Sequence, residues 1–220
     1  MNLATRLWGS AVVAAALPGQ SAVPFWPRER IEALRDRRLR ELVAYAAATV
    51  PYYRELFRRE GIDPRAIRGA ADLERLPLLD RERVRAEPER FVAESRAARG
   101  ALQFTTSGST ATPLRVFHDQ ASVLRNMAYG ERERRPIIAG TGGSFRPKEL
   151  YVGSADSTFT RVIAFYREAT LLPMQPRRHW VSVLQPIEDI VALVNRERPD
   201  LIVGYGGWHD LFFKTVAARG

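Results

Sequence analysis

The residues whose types and spacing could do chemistry form one run, Thr105-Thr106-Ser107-Gly108-Ser109-Thr110-Ala111-Thr112-Pro113-Leu114-Arg115. Small hydroxyl residues around a glycine, closed by a proline, suit a loop that wraps phosphate. Backbone N–H groups in such a loop point at anionic oxygens, and Ser109, Thr110 and Thr112 add hydroxyl donors without bulk that would hold the phosphates away. A Walker loop is excluded, because it needs a lysine after its second glycine and no lysine lies between Met1 and Pro147. A serine-hydrolase elbow fits poorly. Ser107 and Ser109 flank Gly108 in the wrong order, and none of His118, His179 and His209 is placed as a base. Taken alone, so short a run is more simply a Ser/Thr/Gly surface loop with no ligand.

The flanks change that balance. Ala101 to Thr105 reads as a short strand, and Leu114-Arg115-Val116-Phe117-His118 alternates apolar and polar side chains as a second strand would, so the run is expected to connect a hairpin. Asp119 stands where an N-cap is expected, ahead of a helical stretch through Ala121, Leu124, Met127 and Ala128 toward Arg135-Pro136.

In this setting the run resembles the loop T-S-G-[ST]-T-G-x-P-[KR] of the adenylate-forming acyl-CoA synthetases, the AMP-binding superfamily, and Thr106 to Pro113 matches it at all but one position. More narrowly the chain resembles the phenylacetate-CoA ligase branch, including relatives of the CapK type. Val50-Pro51-Tyr52-Tyr53-Arg54-Glu55-Leu56-Phe57 with Gly61-Ile62-Asp63, then Asp72-Leu73-Glu74-Arg75-Leu76-Pro77, then Asp80-Arg81 carry that match in the family's order. Arg198-Pro199-Asp200-Leu201-Ile202-Val203-Gly204-Tyr205 resembles a later stretch where a helix ends and a buried strand follows. The likeness spans roughly residues 28 to 220.

The resemblance implies an α/β fold, with a helical N-terminal lead-in followed by the first, truncated part of an adenylate-forming enzyme's N-terminal domain. It implies a ligase that activates a carboxylic acid with ATP to an acyl-adenylate for thioester formation, with Mg2+ arriving on ATP and CoA as acceptor. Thr106, Ser107, Gly108, Ser109, Thr110, Ala111 and Thr112 become the nucleotide-binding residues. Two positions depart from the pattern. Ala111 replaces the usual second glycine, which costs on the order of 1 kcal/mol if the backbone there needs positive φ. Leu114 stands where many members carry lysine. The family's aromatic-G-x-T/S-E segment, ribose-binding aspartate and lid lysine find no match between Arg115 and Gly220, and Lys148 and Lys214 lie in the wrong context for the lid. The expectation is an N-terminal fragment, inactive by itself, with no catalytic residue assigned. The alternatives are a non-catalytic nucleotide- or partner-binding module, or one half of a split enzyme completed by a separately encoded C-terminal half.

Composition narrows the classes further. A 220-residue chain that is 45% hydrophobic can bury a normal core. It has no cysteine, so disulfides, thiolate metal sites and a thiol nucleophile are excluded, and its three histidines form no metal-spaced pair. The net charge of +9 is almost wholly arginine, since Lys148 and Lys214 are the only lysines. Those arginines interleave with glutamates along helices, as in Arg28 to Glu41 and Arg81 to Glu94. They read as solvated helix faces rather than a nucleic-acid surface. The apolar stretch after Arg6 is short, broken by Pro18-Gly19, and below the roughly 20 residues a membrane span needs. It is read as a helical lead-in of a cytoplasmic protein.

Two regions are expected. Residues 1–100 read as mainly helical, with an amphipathic helix from Pro27 toward Pro51, a short one ending at Gly61 and a third capped by Asp80. Tyr52, Tyr53 and Phe57 are read as core packing. Residues 101–220 read as an α/β subdomain with strands at Glu149–Gly153 and Leu201–Gly204 and helices at Asp189–Arg196 and Trp208–Ala218. Gly153 to Asp156 and Tyr205 to Trp208 then fall at carboxyl ends of strands, where ligands gather in open α/β sheets.

Overall fold

A computed structural model describes residues 1–95, 100–106, 113–143, 147–171 and 177–218. In chain order the elements are α1 (Leu3–Ala16), α2 (Arg28–Thr49), α3 (Pro51–Arg59), α4 (Arg81–Ala86), β1 (Leu102–Thr105), β2 (Arg115–His118), α5 (Gln120–Tyr129), α6 (Glu131–Gly140), β3 (Lys148–Gly153), α7 (Thr158–Ala169), β4 (Arg177–Ser182), α8 (Ile187–Glu197), β5 (Leu201–Val203) and α9 (Gly206–Ala217). Short 3-10 turns fill several of the links. The mixture of helix and sheet is the α/β class expected. The chain divides into two compact units, Ala22–Val123 and Met1–Ser21 with Leu124–Gly220.

In the unit Ala22–Val123, Pro27 precedes α2 and Pro51 opens α3, so each proline sits where its missing N–H costs nothing. Helix α3 ends in a Schellman arrangement. Gly61 takes φ +64°, Ile62 N–H donates to Phe57 O at 3.0 Å, and Ile62 and Phe57 join one apolar cluster. That cluster is Val43, Phe57 and Ile67, with Leu39, Ala47 and Tyr53 against it. The buried face of α2 therefore runs through Leu39, Val43 and Ala47, while Leu42 is 62% exposed. Tyr52 is buried against Phe91, ring centroids 4.3 Å apart, which bears out core packing for these aromatics. Asp80 caps α4 as expected, accepting from Glu82 N–H at 3.0 Å.

Asp72 secures the 3-10 turn Ala70–Arg75 by accepting backbone N–H bonds from Arg68 (2.8 Å) and Gly69 (3.1 Å). These bonds, Arg68 first, hold its carboxyl below the usual carboxylate range. A depressed folded-state pKa contributes stability that is present above the unfolded value and is lost as pH falls through the folded one. Asp72→Asn should therefore lower the melting temperature at neutral pH, and the gap to the wild type should close in acid. A gap that stays constant to pH values well below the carboxylate range would refute that assignment.

In the other unit, β3 lies between β4 and β5, parallel to both. Five of its six residues are buried, as befits a central parallel strand covered on both faces. Leu150 and Val152 point into one cluster with Val181, Ile190, Leu193, Trp208 and Phe212, built with α8 and α9. Helix α1 packs on α7 through Gly9, where an added Cβ would lie 2.0 Å from Ala169 O. The Arg6 guanidinium donates to Thr170 O at 3.0 Å, and Leu171 N–H donates to Ser10 Oγ at 2.8 Å. Gly9→Ala should cost about 1–3 kcal/mol by forcing the two helices apart. Gly140→Ala, whose Cβ meets nothing, should not. Urea midpoints for the two variants check this.

The single helix expected from Ala121 toward Pro136 is two. Helix α5 carries the chain from one unit into the other and ends at Tyr129, and α6 begins after Gly130 and continues through Pro136 to Gly140. Glycine is a weak helix former, so a break there is physically reasonable.

Candidate functional site

The base of the candidate loop is a two-stranded antiparallel hairpin. Leu102 pairs with His118, Gln103 with Phe117, Phe104 with Val116 and Thr105 with Arg115. Phe104 is buried and meets the His118 ring edge-on at 5.6 Å, which anchors one face. One step beyond the ladder, Thr106 N–H donates to Leu114 O at 3.0 Å, and Leu114 N–H donates to Thr106 Oγ1 at 3.1 Å. The hairpin is thus closed on both sides of the run. An Oγ1 that accepts from Leu114 keeps its own O–H proton to donate. Leu114, the departure from the family pattern, completes this closure with its backbone. Asp119 follows β2 as the expected cap and accepts from Ser122 N–H at 2.9 Å.

Of the seven expected nucleotide-binding residues, Thr106 stands at this base. Ser107, Gly108, Ser109, Thr110, Ala111 and Thr112 lie outside the described residues. Arg115, next to the expected lysine position, has its Nη2 3.4 Å from Glu89 Oε1. The two lysines are also engaged. Lys148 Nζ lies 3.2 Å from Glu197 Oε2, and Lys214 Nζ donates to Asp210 Oδ2 at 2.8 Å. Glu197 is held below the usual carboxylate range, first by Arg196 and then by Lys148. No group of three or more His, Asp or Glu side chains is arranged to hold a metal among the described residues.

The strand-end segments are helix entries. Ser157, just past Gly153 to Asp156, caps α7 by accepting from Thr160 N–H at 3.2 Å, and Tyr205 precedes α9. His209 lies in the first turn of α9 with Nε2 buried and without a hydrogen-bond partner among the described residues.

One feature escapes a reading of the residues alone. Glu149 on β3 and Arg178 on β4 are direct cross-strand neighbours. Arg178 donates from Nε to Glu149 Oε1 at 2.6 Å and from Nη2 to Oε2 at 2.9 Å, and their side chains are 10% and 5% exposed, arginine first. The guanidinium also lies 5.2 Å from the Phe159 ring centroid and 5.5 Å from that of Trp180. The available signal was a carboxylate at the head of the apolar run Leu150 to Gly153, which needs a buried cation beside it.

No protein-family profile matches the chain. Among curated proteins it is similar to phenylacetate-coenzyme A ligase of Thermus thermophilus, 38% identical over 111 residues that make up 46% of this chain and 24% of that protein. Among solved structures it is similar to 2-hydroxyisobutyryl-CoA ligase in complex with 2-HIB-AMP and CoA in the thioesterification state, with a TM-score of 0.57 and 20% identity. The same ligase in the postadenylation state, in complex with R3-HIB-AMP, gives a TM-score of 0.56 at 17% identity. Each of these matches covers 84% of this chain and 38% of the other. The chain spans about a quarter of the curated relative's length. The chain is thus similar in sequence, over 46% of its length, to one acyl-CoA ligase and in fold to part of another.

Proposed function

We propose that these 220 residues are the N-terminal, phosphate-loop portion of a ligase of the phenylacetate-CoA ligase and CapK-like branch. In that reaction a carboxylate attacks the α-phosphate of ATP, the bond to pyrophosphate breaks, and the acyl group then passes to the thiol of CoA. The observation that carries the reading is the hairpin closed by Thr106 and Leu114 at the run that resembles the family's loop, in a chain 38% identical to such a ligase over 111 residues.

The residue types fit the group. The run offers hydroxyls and backbone N–H groups for phosphate oxygens, the Thr106 O–H remains free to donate, and Mg2+ would come with the nucleotide rather than from protein ligands. Residues 106–112 would bind and restrain the leaving pyrophosphate, with no bulky side chain in the way. A reaction that consumes ATP and CoA puts the protein in the cytoplasm, and no described helix is long and apolar enough to cross a membrane.

Because the chain covers 38% of its structural relatives, we infer that it acts together with the remaining segments of such an enzyme, on the same or a separate polypeptide. The 220 residues alone form no acyl-adenylate in this reading, since charge stabilisation at the transition state is usually the largest single contribution to rate. The test is carboxylate-dependent exchange of labelled pyrophosphate into ATP. It should be absent from the chain alone and appear when the chain is fused to the segments of a relative that lie beyond the match. Exchange by the chain alone would refute the partial reading, and a folded fusion inert toward every acid tried would count against the ligase reading.

A further inference from the structure

Tyr52, Glu55 and Arg59 follow one another on α3 at steps of three and four residues, so they share one face of that helix. With Arg83 of α4, and with Glu87 and Arg90 at the 3-10 turn Pro88–Phe91, they line a recess of about 250 Å3. That is smaller than the pockets that hold drug-sized molecules, so it suits a small ion or the end group of a longer ligand. All six residues belong to the unit Ala22–Val123.

The ion pairs of the recess leave one positive charge over. Arg90 engages both carboxylates of the wall, donating from Nη2 to Glu55 Oε2 and, at 3.3 Å, from Nη1 to Glu87 Oε2. Arg59 donates from Nε to Glu60 Oε1 at 2.9 Å, and Glu60 does not line the recess. The Nη atoms of Arg59 make no hydrogen bond among the described residues and are not buried, so they remain available. Arg83 forms no ion pair and no side-chain hydrogen bond among the described residues, since its neighbours Glu82 and Glu87 are taken by Arg85 and Arg90. Tyr52 is the buried member, at 7% exposure, with its ring against Phe91. Its hydroxyl makes no hydrogen bond, yet it is not among the buried unpartnered atoms, so it is the accessible tip that Tyr52 offers to the recess. A bound cation would find both carboxylates already accepting from Arg90. A neutral ligand would gain nothing from the unmatched charge of Arg83. Two guanidinium groups and a phenolic O–H, from three separate backbone positions, suit a tetrahedral oxyanion with oxygens on several sides better than a planar carboxylate with two.

We propose that this recess binds a phosphate group, as the free ion or at the end of an ester, with Tyr52 donating to one oxygen and Arg59 and Arg83 to the others while Arg90 holds the two carboxylates. The inference does not rest on the ligase reading, since none of the six residues belongs to the run Thr106 to Thr112 and a binding equilibrium is measured rather than a reaction.

The test is an amide NMR titration of the whole chain, near neutral pH and at low salt, with inorganic phosphate, glycerol 3-phosphate and succinate. The amides of Tyr52, Glu55, Arg59 and Arg83 should shift together and saturate with a Kd of about 1 mM for at least one of the two phosphates, because the arginines are exposed and screened. Succinate should be about fivefold or more weaker. A tighter free ion identifies inorganic phosphate as the source, and a tighter ester identifies an esterified one. Tyr52→Phe keeps the ring packing and should weaken binding about fivefold, and Arg83→Gln, which breaks no pair, about tenfold. Arg65→Gln, on an exposed arginine outside the recess, removes the same charge and should change affinity by less than about twofold. The wild-type comparison needs no variant to fold. Succinate as tight as phosphate would mean that the recess reads charge alone, equal losses in Arg65→Gln and Arg83→Gln would mean a diffuse basic surface, and shifts confined to residues 106–112 would place the ion in the candidate nucleotide loop. Any of these, or no saturation up to about 20 mM, overturns the proposal.

Discussion

Glu149→Leu alone should destabilise the protein by about 3–5 kcal/mol, the scale for removing one partner of a buried ion pair. The reason is what remains. Arg178 is 10% exposed, and without Glu149 its charge would stay in an aromatic and aliphatic wall with no carboxylate to accept from Nε and Nη2. Arg178→Met should cost as much or more, because Glu149 is buried deeper, at 5% exposure. The double substitution E149L/R178M should recover most of the loss, since apolar side chains of similar volume can replace a buried pair at little cost. Domains are stable by about 5–15 kcal/mol, so either single variant removes a large share of the total. Urea unfolding of the four proteins checks this. Additive losses in the double variant would show that the pair is not coupled and that the site is wetter than its burial indicates.

That pair also marks where the residues alone stop being informative. Strands β1, β2, β3 and β5 and helices α2, α3, α4, α8 and α9 announce themselves by periodicity, caps and breakers. Pro27, Pro51, Gly61 and Asp80 each do at the element ends what their chemistry suits them for. Strand β4 does not, because Arg177-Arg178-His179-Trp180 offers little aliphatic signal. One of its inward residues is an arginine whose reason for being there is Glu149, 29 positions away. Helix α7 is hidden for another reason. Its first half carries the β-branched Thr158, Thr160, Val162 and Ile163, which are modest helix formers, and the helix forms because Ser157 caps it and Tyr166 and Ala169 are buried. The candidate nucleotide loop is the reverse case: its residue types carry the chemistry in sequence, and the fold supplies the closed hairpin at Thr106 and Leu114.

Ser109→Ala with Thr110→Ala should weaken ATP binding by about a hundredfold. Each hydroxyl would donate to an anionic phosphate oxygen, and hydrogen bonds to charged groups contribute about 1.5–3 kcal/mol apiece, so even partial non-additivity leaves a loss of that order. Backbone N–H groups remain in the variant, so residual binding is expected rather than none. Ala111→Gly should act in the opposite direction, because glycine removes the penalty at any position of the loop that needs positive φ. Thr49→Ala, which removes a hydroxyl that only donates to Tyr45 O within α2, should leave affinity unaltered. Isothermal titration with MgATP reads all three. Equal affinities across the series would remove the loop from the account.

The most direct test of the central claim is an equilibrium titration of the folded 220-residue chain with MgATP. The account predicts one saturable site, competed by pyrophosphate and weakened by the Ser109→Ala, Thr110→Ala pair. No saturable binding up to about 5 mM, or binding that the loop substitutions leave untouched, would contradict it.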